Sequence, residues 1–300
     1  MKKAEGGRRK TEDRRKRVFL LLSAFCFLLS GFCLLACGGG GNRDRDIGPD
    51  TARREIFLRG YAFKEIDFFD RAREGDVKLV KLFLIAGMSP EVRNEAGETP
   101  LHVAANHGHA AAARALLEKG ADPNSRDQKG ITPLMRAVLS IAGPAETVKT
   151  LLEFKPDVNA HSNDGSTALM YAVAKNREEF IDMLLDAGAD INASDEGVGT
   201  ALTWAVYYDR TPLAEKLLAR GADPNAVNKV GGTPLMWAAI KGNERAVRML
   251  LERGADPSAK DNDGKTALAW ARENRRDEVV KILQAAGRRP AAAASPPPAR

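Results

Sequence analysis

The chain has 300 residues, of which 44% are hydrophobic and 29% charged, a composition typical of a folded protein and not of a disordered one. The formal net charge of +6 suggests nucleic-acid binding at first, but residues 1–17 alone hold nine Lys/Arg and three Asp/Glu. The rest of the chain then has 37 basic and 37 acidic residues and is neutral, so we expect no nucleic acid as a partner.

The N-terminal segment has the pattern of an export signal. A basic stretch ends at Arg17, and the apolar run Val18–Ala36 follows. At about 1.5 Å per residue, this run is just long enough to cross a bilayer as a helix. By the positive-inside rule the basic flank stays in the cytoplasm and the rest is exported. Since Cys26, Cys33 and Cys37 all lie in or beside this run, the remaining chain has no disulfide, cysteine zinc site or cysteine nucleophile.

The end of the apolar run, Leu34-Leu35-Ala36-Cys37, resembles the lipobox of bacterial lipoproteins. A large aliphatic residue stands three positions before the cysteine, and a small residue stands directly before it. The resemblance implies a signal peptide over residues 1–37 and lipidation of Cys37. Because Gly38 and not Asp follows, it also implies sorting to the outer membrane, on the periplasmic side, if the host is Gram-negative. The alternative is an uncleaved signal anchor in the inner membrane.

The segments on either side of the main part of the chain are polar or rich in small residues. Residues 38–60 begin with four glycines followed by a charged stretch, and we predict a flexible tether there. The Ala/Pro-rich residues 290–300 are predicted to be disordered.

Between these segments the chain repeats one unit. A threonine recurs at spacings of 33, 35, 33, 33 and 33 residues, and Pro or Ala and then Leu follow it each time. Threonine is a common helix N-cap, proline suits the first helical turn, and a later glycine ends a helix in the left-handed conformation. Each unit is therefore predicted to contain two helices. The recurring residues are Thr99, Thr132, Thr167, Thr200, Thr233 and Thr266.

The 33-residue period and the segment Thr99-Pro100-Leu101-His102-Val103-Ala104-Ala105 resemble the ankyrin repeat. The resemblance implies an all-α ankyrin-repeat solenoid of about seven helix-turn-helix units with short β-hairpin connections. Six repeats are predicted over residues 94–289, and residues 61–93 are predicted to form a degenerate N-terminal capping unit. One unit cannot bury its apolar face alone, so neighbouring units must stack.

Two units depart from the repeat pattern. The second has two extra residues around Ser140–Glu146 and has Lys155-Pro156 where others have Gly-Ala, and the fourth has Val198 where glycine is expected. We interpret these departures as local irregularities. A kink or a recognition site at the second unit is the alternative.

Aromatic residues occupy one position of the repeat in four consecutive units: Tyr171, Trp204, Trp237 and Trp270. We interpret them as packing between units, with a ligand platform as the alternative. The His-Gly-His at 107–109 is too weak a pattern for a metal site, and the glycines follow the repeat instead of forming a phosphate loop. We therefore predict no catalytic residue, no metal, no cofactor and no enzyme activity.

The ankyrin resemblance implies non-catalytic protein binding through a concave face made by hairpin tips and by exposed ends of the first helices. Tyr207 and Tyr208 are the predicted anchors, because tyrosine is enriched in interface hot spots. The predicted partner-binding residues are Asn106, His107, Lys129, Leu139, Lys175, Tyr207, Tyr208, Ile240, Lys241 and Glu273.

The sequence does not identify the partner, because the same scaffold binds unrelated proteins. We expect a membrane-tethered monomer that acts as an interaction scaffold. One alternative is an immunity or inhibitor protein for a secreted toxic enzyme. The other is an oxidative-stress accessory protein that supports a periplasmic catalase.

Overall fold

A computed structural model describes residues 47–141 and 145–287, so the predictions for Cys37 and for residues 290–300 lie outside the described residues. These two ranges contain fifteen α-helices and no strand, with one isolated antiparallel bridge between Ser194 and Thr200. The helices are α1 (Pro49–Leu58), α2 (Glu65–Glu74), α3 (Val77–Ile85), α4 (Pro100–Asn106), α5 (Ala110–Glu118), α6 (Pro133–Leu139), α7 (Ala145–Glu153), α8 (Ala168–Ala174), α9 (Glu178–Asp186), α10 (Ala201–Tyr207), α11 (Thr211–Ala219), α12 (Pro234–Lys241), α13 (Glu244–Glu252), α14 (Ala267–Glu273) and α15 (Asp277–Ala286).

The helices from α2 onward form seven antiparallel pairs that stack into two layers. The even-numbered helices form an inner layer in which each packs on the next, and their odd-numbered partners form the outer layer. The prediction of an all-α ankyrin-type solenoid with about seven units is confirmed. The connections predicted as β-hairpins are tight turns without strands, each closed by a backbone hydrogen bond such as that from Asp127 N to Ile131 O at 3.0 Å, and we keep the name hairpin for these turns.

Small side chains let the inner helices approach closely. One alanine per repeat lies at the centre of the inner layer and is fully buried, so a larger residue there would separate neighbouring helices. These residues are Ala104, Ala137, Ala172, Ala205, Ala238 and Ala271.

A ladder of Asp and Asn side chains joins the units below the ends of the outer helices. In each inner step an Asp Oδ1 accepts the backbone N–H two residues later, and the Asn there accepts the N–H of the next unit's Asp; Glu91 accepts the first such N–H, and Ser258 ends the ladder. The distances are 2.7 to 2.9 Å. Each unit therefore sets the position of the next. The ladder runs through Glu91, Asp122, Asn124, Asp157, Asn159, Asp190, Asn192, Asp223, Asn225, Asp256 and Ser258.

The flexible tether predicted over residues 38–60 is wrong for residues 49–58, which form α1. Pro49 occupies the first helical turn, and Ala52 and Ile56 are fully buried against the core. These two apolar residues are one helical turn apart, which places both on the face that packs on α3. The capping unit is therefore preceded by a further packed helix.

The irregular units keep the fold with local adjustments. Lys155 takes the left-handed conformation, with φ of 50°, at the position where other units have glycine. In the fourth hairpin, Val198 stands where the other units have a glycine with positive φ. The positive φ occurs at the next residue instead, Gly199, where φ is 124°. Neither change interrupts the stacking of the inner helices.

His102 links the first repeat to the second. Its Nδ1 accepts a hydrogen bond from Thr99 N at 3.1 Å, and its Nε2 donates to Ile131 O at 3.0 Å. This arrangement requires the neutral ring with the proton on Nε2, because a second proton on Nδ1 would face the Thr99 N–H. Burial lowers the pKa of His102 below its ordinary value, although the bond to Ile131 O acts in the opposite direction.

The His102 contacts predict that the protein loses stability as the pH falls below about 6.5. In this pH range His102 takes up a proton in the unfolded chain but not in the folded protein. The free energy of unfolding therefore falls by at most about 1.4 kcal/mol for each pH unit. Urea unfolding between pH 5 and 7 measures the slope, which we expect to be smaller for His102→Gln. The exposed His161→Gln is the control and should keep the original slope. Equal slopes for all three proteins would contradict the assignment.

Candidate protein-binding face

The aromatic residues of the inner helices pack against the core, but each keeps part of its ring exposed. Tyr171, Trp204, Trp237 and Trp270 are all half-buried. One side of each ring therefore packs on the core, in agreement with our interpretation of this position. The other side contributes to the surface of the inner layer.

The indole N–H of two of these rings, Trp204 and Trp270, holds the hairpin of the same unit. Trp204 Nε1 donates to Asp195 Oδ2 at 2.6 Å, and Trp270 Nε1 donates to Asp261 Oδ2 at 2.8 Å. The other Asp195 oxygen accepts the N–H groups of Gly197 and Gly199. One carboxylate thus closes the hairpin turn and also fixes it to the inner helix.

Two units use different chemistry for the same connection. In the third, the Tyr171 hydroxyl donates to Ser162 Oγ at 3.1 Å. In the second, the Arg136 guanidinium contacts Asp127 Oδ2 at 2.5 Å and Glu98 Oε1 at 3.0 Å. Since Glu98 belongs to the preceding hairpin, Arg136 joins two hairpins.

The hydrogen bonds to one of these carboxylates also affect its titration. Burial by itself would raise the pKa of Asp261, but the N–H groups of Lys265, Trp270 and Asp263 hold the pKa below its ordinary value. The charged carboxylate is the form that accepts these three bonds, so the hairpin is held by an ionised group.

A continuous aromatic cluster, consisting of Tyr171, Trp204, Tyr207, Tyr208 and Trp237, crosses three units. Ring centroids are 6.5 Å apart for Tyr171–Trp204, 5.6 Å for Trp204–Tyr208, 5.1 Å for Tyr207–Tyr208 and 5.3 Å for Tyr207–Trp237. Three of the four pairs are edge-to-face, which is a favourable geometry for aromatic rings. Tyr208 is 43% exposed. The cluster therefore presents ordered aromatic surface to solvent.

An open depression of about 740 Å³ lies beside the two tyrosines. Lys241 Nζ is 3.9 Å from the centre of the Tyr207 ring, a cation–π distance. On the same rim Asn243 Nδ2 donates to Asp209 Oδ1 at 2.6 Å. Aromatic rings and charges of both signs therefore meet here. The lining residues are Tyr207, Tyr208, Asp209, Lys241, Gly242, Asn243 and Glu244.

The structure brings three of the predicted partner-binding residues together: Tyr207, Tyr208 and Lys241. Leu139 and Ile240 were predicted to be exposed at the ends of their inner helices. Both are half-buried, so they offer less surface to a partner than predicted. Lys175 is exposed at the C-terminal end of α8.

The remaining four predicted residues lie in other units. Asn106 ends α4 and is half-buried, while His107 is exposed and its Nδ1 bonds to Val103 O at 2.9 Å. Lys129 is exposed at the second hairpin tip. Glu273 accepts a hydrogen bond from Lys265 Nζ at 2.8 Å, and this ammonium lies over Trp270.

Sequence reasoning missed the connection between the aromatic residues and the hairpins. The signal was present, because Ser162, Asp195 and Asp261 each precede the aromatic residue of their unit by nine positions. It also missed Asp209 and Asn243, which come from the turns after α10 and α12, and Glu244, which begins α13; the three approach one another only in the folded array.

Across the described ranges, no three or more His, Cys, Asp or Glu side chains are grouped so that they could hold a metal ion. In the same ranges, no helix is both long enough and apolar enough to span a bilayer.

A family model described as ankyrin repeats (three copies) matches residues 69–161, 140–195 and 202–292. The chain therefore belongs to the ankyrin-repeat family. Ankyrin repeats are scaffolds for protein–protein interaction and are typically non-catalytic.

Relatives share repeats with this chain and not its whole length. The ankyrin repeat and KH domain-containing protein mask-1 of Caenorhabditis elegans is 35% identical over 121 residues, which are 39% of this chain and 4% of that protein. The ankyrin repeat-containing protein P1E11.10 of Schizosaccharomyces pombe is 43% identical over 63 residues, which are 21% of this chain and 30% of that protein. This chain thus spans under a third of either relative.

Two solved structures have the same fold over most of this chain. The ankyrin repeat domain of human ASB11 matches with a TM-score of 0.63 at 29% identity, covering 75% of this chain and 99% of that domain. The ankyrin repeat domain of Bcl-3, a member of the IkappaB family, matches with a TM-score of 0.64 at 31% identity, covering 72% and 97%.

The bond between Trp204 and Asp195 predicts that Trp204→Phe is destabilising by about 1.5–3 kcal/mol, because a nearly buried carboxylate loses a charge-assisted hydrogen bond. Trp237→Phe is the matched control. The hairpin residue at the corresponding position is Asn228, whose side-chain nitrogen donates to Gly197 O instead. Urea unfolding of both variants gives the comparison. An equal loss in the two would show that ring packing, and not the hydrogen bond, is the source of the stability.

Proposed function

We propose that this protein binds a protein partner through the concave face of its inner layer, with the aromatic cluster as the centre of the interface. The observation that carries this proposal is the chain of ring contacts from Tyr171 to Trp237, together with the exposure of Tyr208. Tyrosine and tryptophan are enriched in interface hot spots. Rings already fixed by their neighbours lose little conformational entropy when a partner binds.

The surroundings of the cluster support an interface with an apolar centre and a polar rim. Lys175 and Lys241 contribute positive charge, and Asp209 and Glu244 contribute negative charge, all four in exposed positions. Charges of both signs on the rim select a partner with complementary charges. They contribute more to specificity than to affinity. Lys129 and Glu273, at more distant units, would extend the rim for a longer partner.

We further propose that the protein acts as a monomer tethered to the periplasmic side of a bacterial membrane. The apolar run Val18–Ala36 and the lipobox-like segment ending at Cys37 support the tether. Lipidation with several acyl chains would hold the protein firmly, since each buried CH₂ contributes about 0.8 kcal/mol. Gly38 after the cysteine favours the outer membrane.

The proposed binding face predicts that Tyr207→Ala/Tyr208→Ala lowers partner affinity by at least about thirtyfold, as loss of one hot spot costs about 2 kcal/mol. A photo-crosslinking amino acid at Tyr208, used in intact cells, captures the partner for the measurement. The same amino acid at Arg248 on α13 is the matched position on the outer layer. Capture from both positions, or full binding by the folded double variant, would contradict the proposal.

The proposed tether predicts the mass of the mature protein. We expect intact mass spectrometry of membrane-extracted protein to show loss of residues 1–36 and the addition of acyl chains to Cys37. Cys37→Ser should keep the uncleaved length, whereas Cys33→Ser should be processed normally. An unmodified N-terminus in the wild-type protein would identify the signal anchor instead.

A further inference from the structure

The N-terminal end of the array is unusually apolar. Of the eight large hydrophobic side chains that are exposed among the described residues, four fall within residues 57–66. They are Phe57 at 76% exposure, Leu58 at 67%, Phe63 at 37% and Ile66 at 68%. We call these four residues the N-terminal apolar patch.

Contacts around α1 place members of this patch on one side of the fold. Arg53 Nε donates to Ala86 O at 3.1 Å, and its guanidinium lies 5.1 Å from the Phe63 ring. The Phe63 ring stacks on Phe83 of α3 at 5.8 Å. Phe57 follows Arg53 by four residues and therefore shares its helix face. Phe57 on α1 and Phe63 in the loop between α1 and α2 thus both lie beside Arg53.

The opposite end of the array is different. On α15 the exposed residues include Asp277, Glu278, Lys281 and Gln284, as expected for a terminal repeat that faces water. Residues 50–66 instead expose aromatic and aliphatic side chains among the cations Arg54, Arg59 and Lys64 and the acids Asp50 and Glu65. Aromatic and large aliphatic residues flanked by Lys or Arg are typical of surfaces that lie in the membrane interface.

The chain length before α1 limits where a membrane would be. Ten residues, 37–46, separate the apolar run from the first described residue. Ten residues span at most about 35 Å when fully extended, and about 17 Å on average as a random coil. A bilayer that holds residue 37 is therefore within reach of the patch.

We propose that the N-terminal apolar patch docks on the membrane surface, so that the first helices rest on the bilayer and the array projects away from it. The docking rests on the proposed tether, but it is a separate contact with its own residues. Phe57, Leu58 and Ile66 enter the interface, and Arg54 and Lys64 contact lipid headgroups. The aromatic cluster, which begins three units further along the array, stays free for a partner.

The test uses the full chain in phosphatidylethanolamine–phosphatidylglycerol vesicles, with a site-specific protease sequence placed within residues 38–46. Flotation before cleavage reports the tether, and flotation after cleavage reports the patch. We expect most of the cleaved protein to stay on the vesicles, and Phe57→Glu/Leu58→Glu to reduce that fraction at least fivefold. Val227→Glu/Val230→Glu adds the same charge at exposed valines of a distant hairpin and should have no effect.

Several outcomes would overturn the docking. The cleaved wild-type protein could leave the vesicles completely, or both Glu pairs could release it equally. Sedimentation of the released protein as a dimer that Phe57→Glu/Leu58→Glu dissociates would show that a second copy covers the patch. Continued association with the severed N-terminal segment in detergent would show that the segment covers it. If the uncleaved protein does not float with the vesicles, the tether alone is rejected. Cleaved protein added to the vesicles then still tests the patch.

Discussion

No helix pair of this protein can bury its own apolar side, and the rest of the structure depends on that constraint. The fully buried alanines from Ala104 to Ala271 bring the inner helices close enough for each pair to cover the next. Close approach also fixes the distance between consecutive hairpins and between consecutive inner-helix surfaces. The side chains outside the core are therefore presented at a regular spacing, which a single unit in isolation would not maintain.

The proposed binding face results from this spacing and from the way the hairpins are held. The indole of Trp204 donates to a hairpin carboxylate with its polar edge and contacts Tyr171 and Tyr208 with its ring. One residue thus stabilises a turn and contributes to a surface at the same time. An aromatic cluster built in this way is ordered before any partner arrives, so the requirements of folding and of recognition agree at these positions.

The sequence was sufficient for the parts of the fold that repeat. Six threonines at a near-constant period predict the start of six helices, because capping is a local interaction between residues three positions apart. The extra helix α1 was not predicted, since Ala52 and Ile56 form only one turn of apolar spacing and belong to no repeat. At the candidate site, Tyr207 and Tyr208 were found from residue type, but Asp209 and Glu244 were not. Their proximity depends on the displacement between neighbouring units. No local sequence pattern specifies that displacement.

The Asp and Asn ladder limits how this array can change in evolution or by engineering. From Glu91 to Ser258 each step joins residues 31 to 33 positions apart in neighbouring units, so a partial insertion in the turn that carries a step would break the contact in which it falls. The loop between the two helices of one unit carries no step of the ladder. The two extra residues of the second unit fall there, around residues 140–146, and the bond from Asp157 N to Asn124 Oδ1 is intact beyond them. Whole repeats and inter-helix loops are thus the two places where this chain accepts added length.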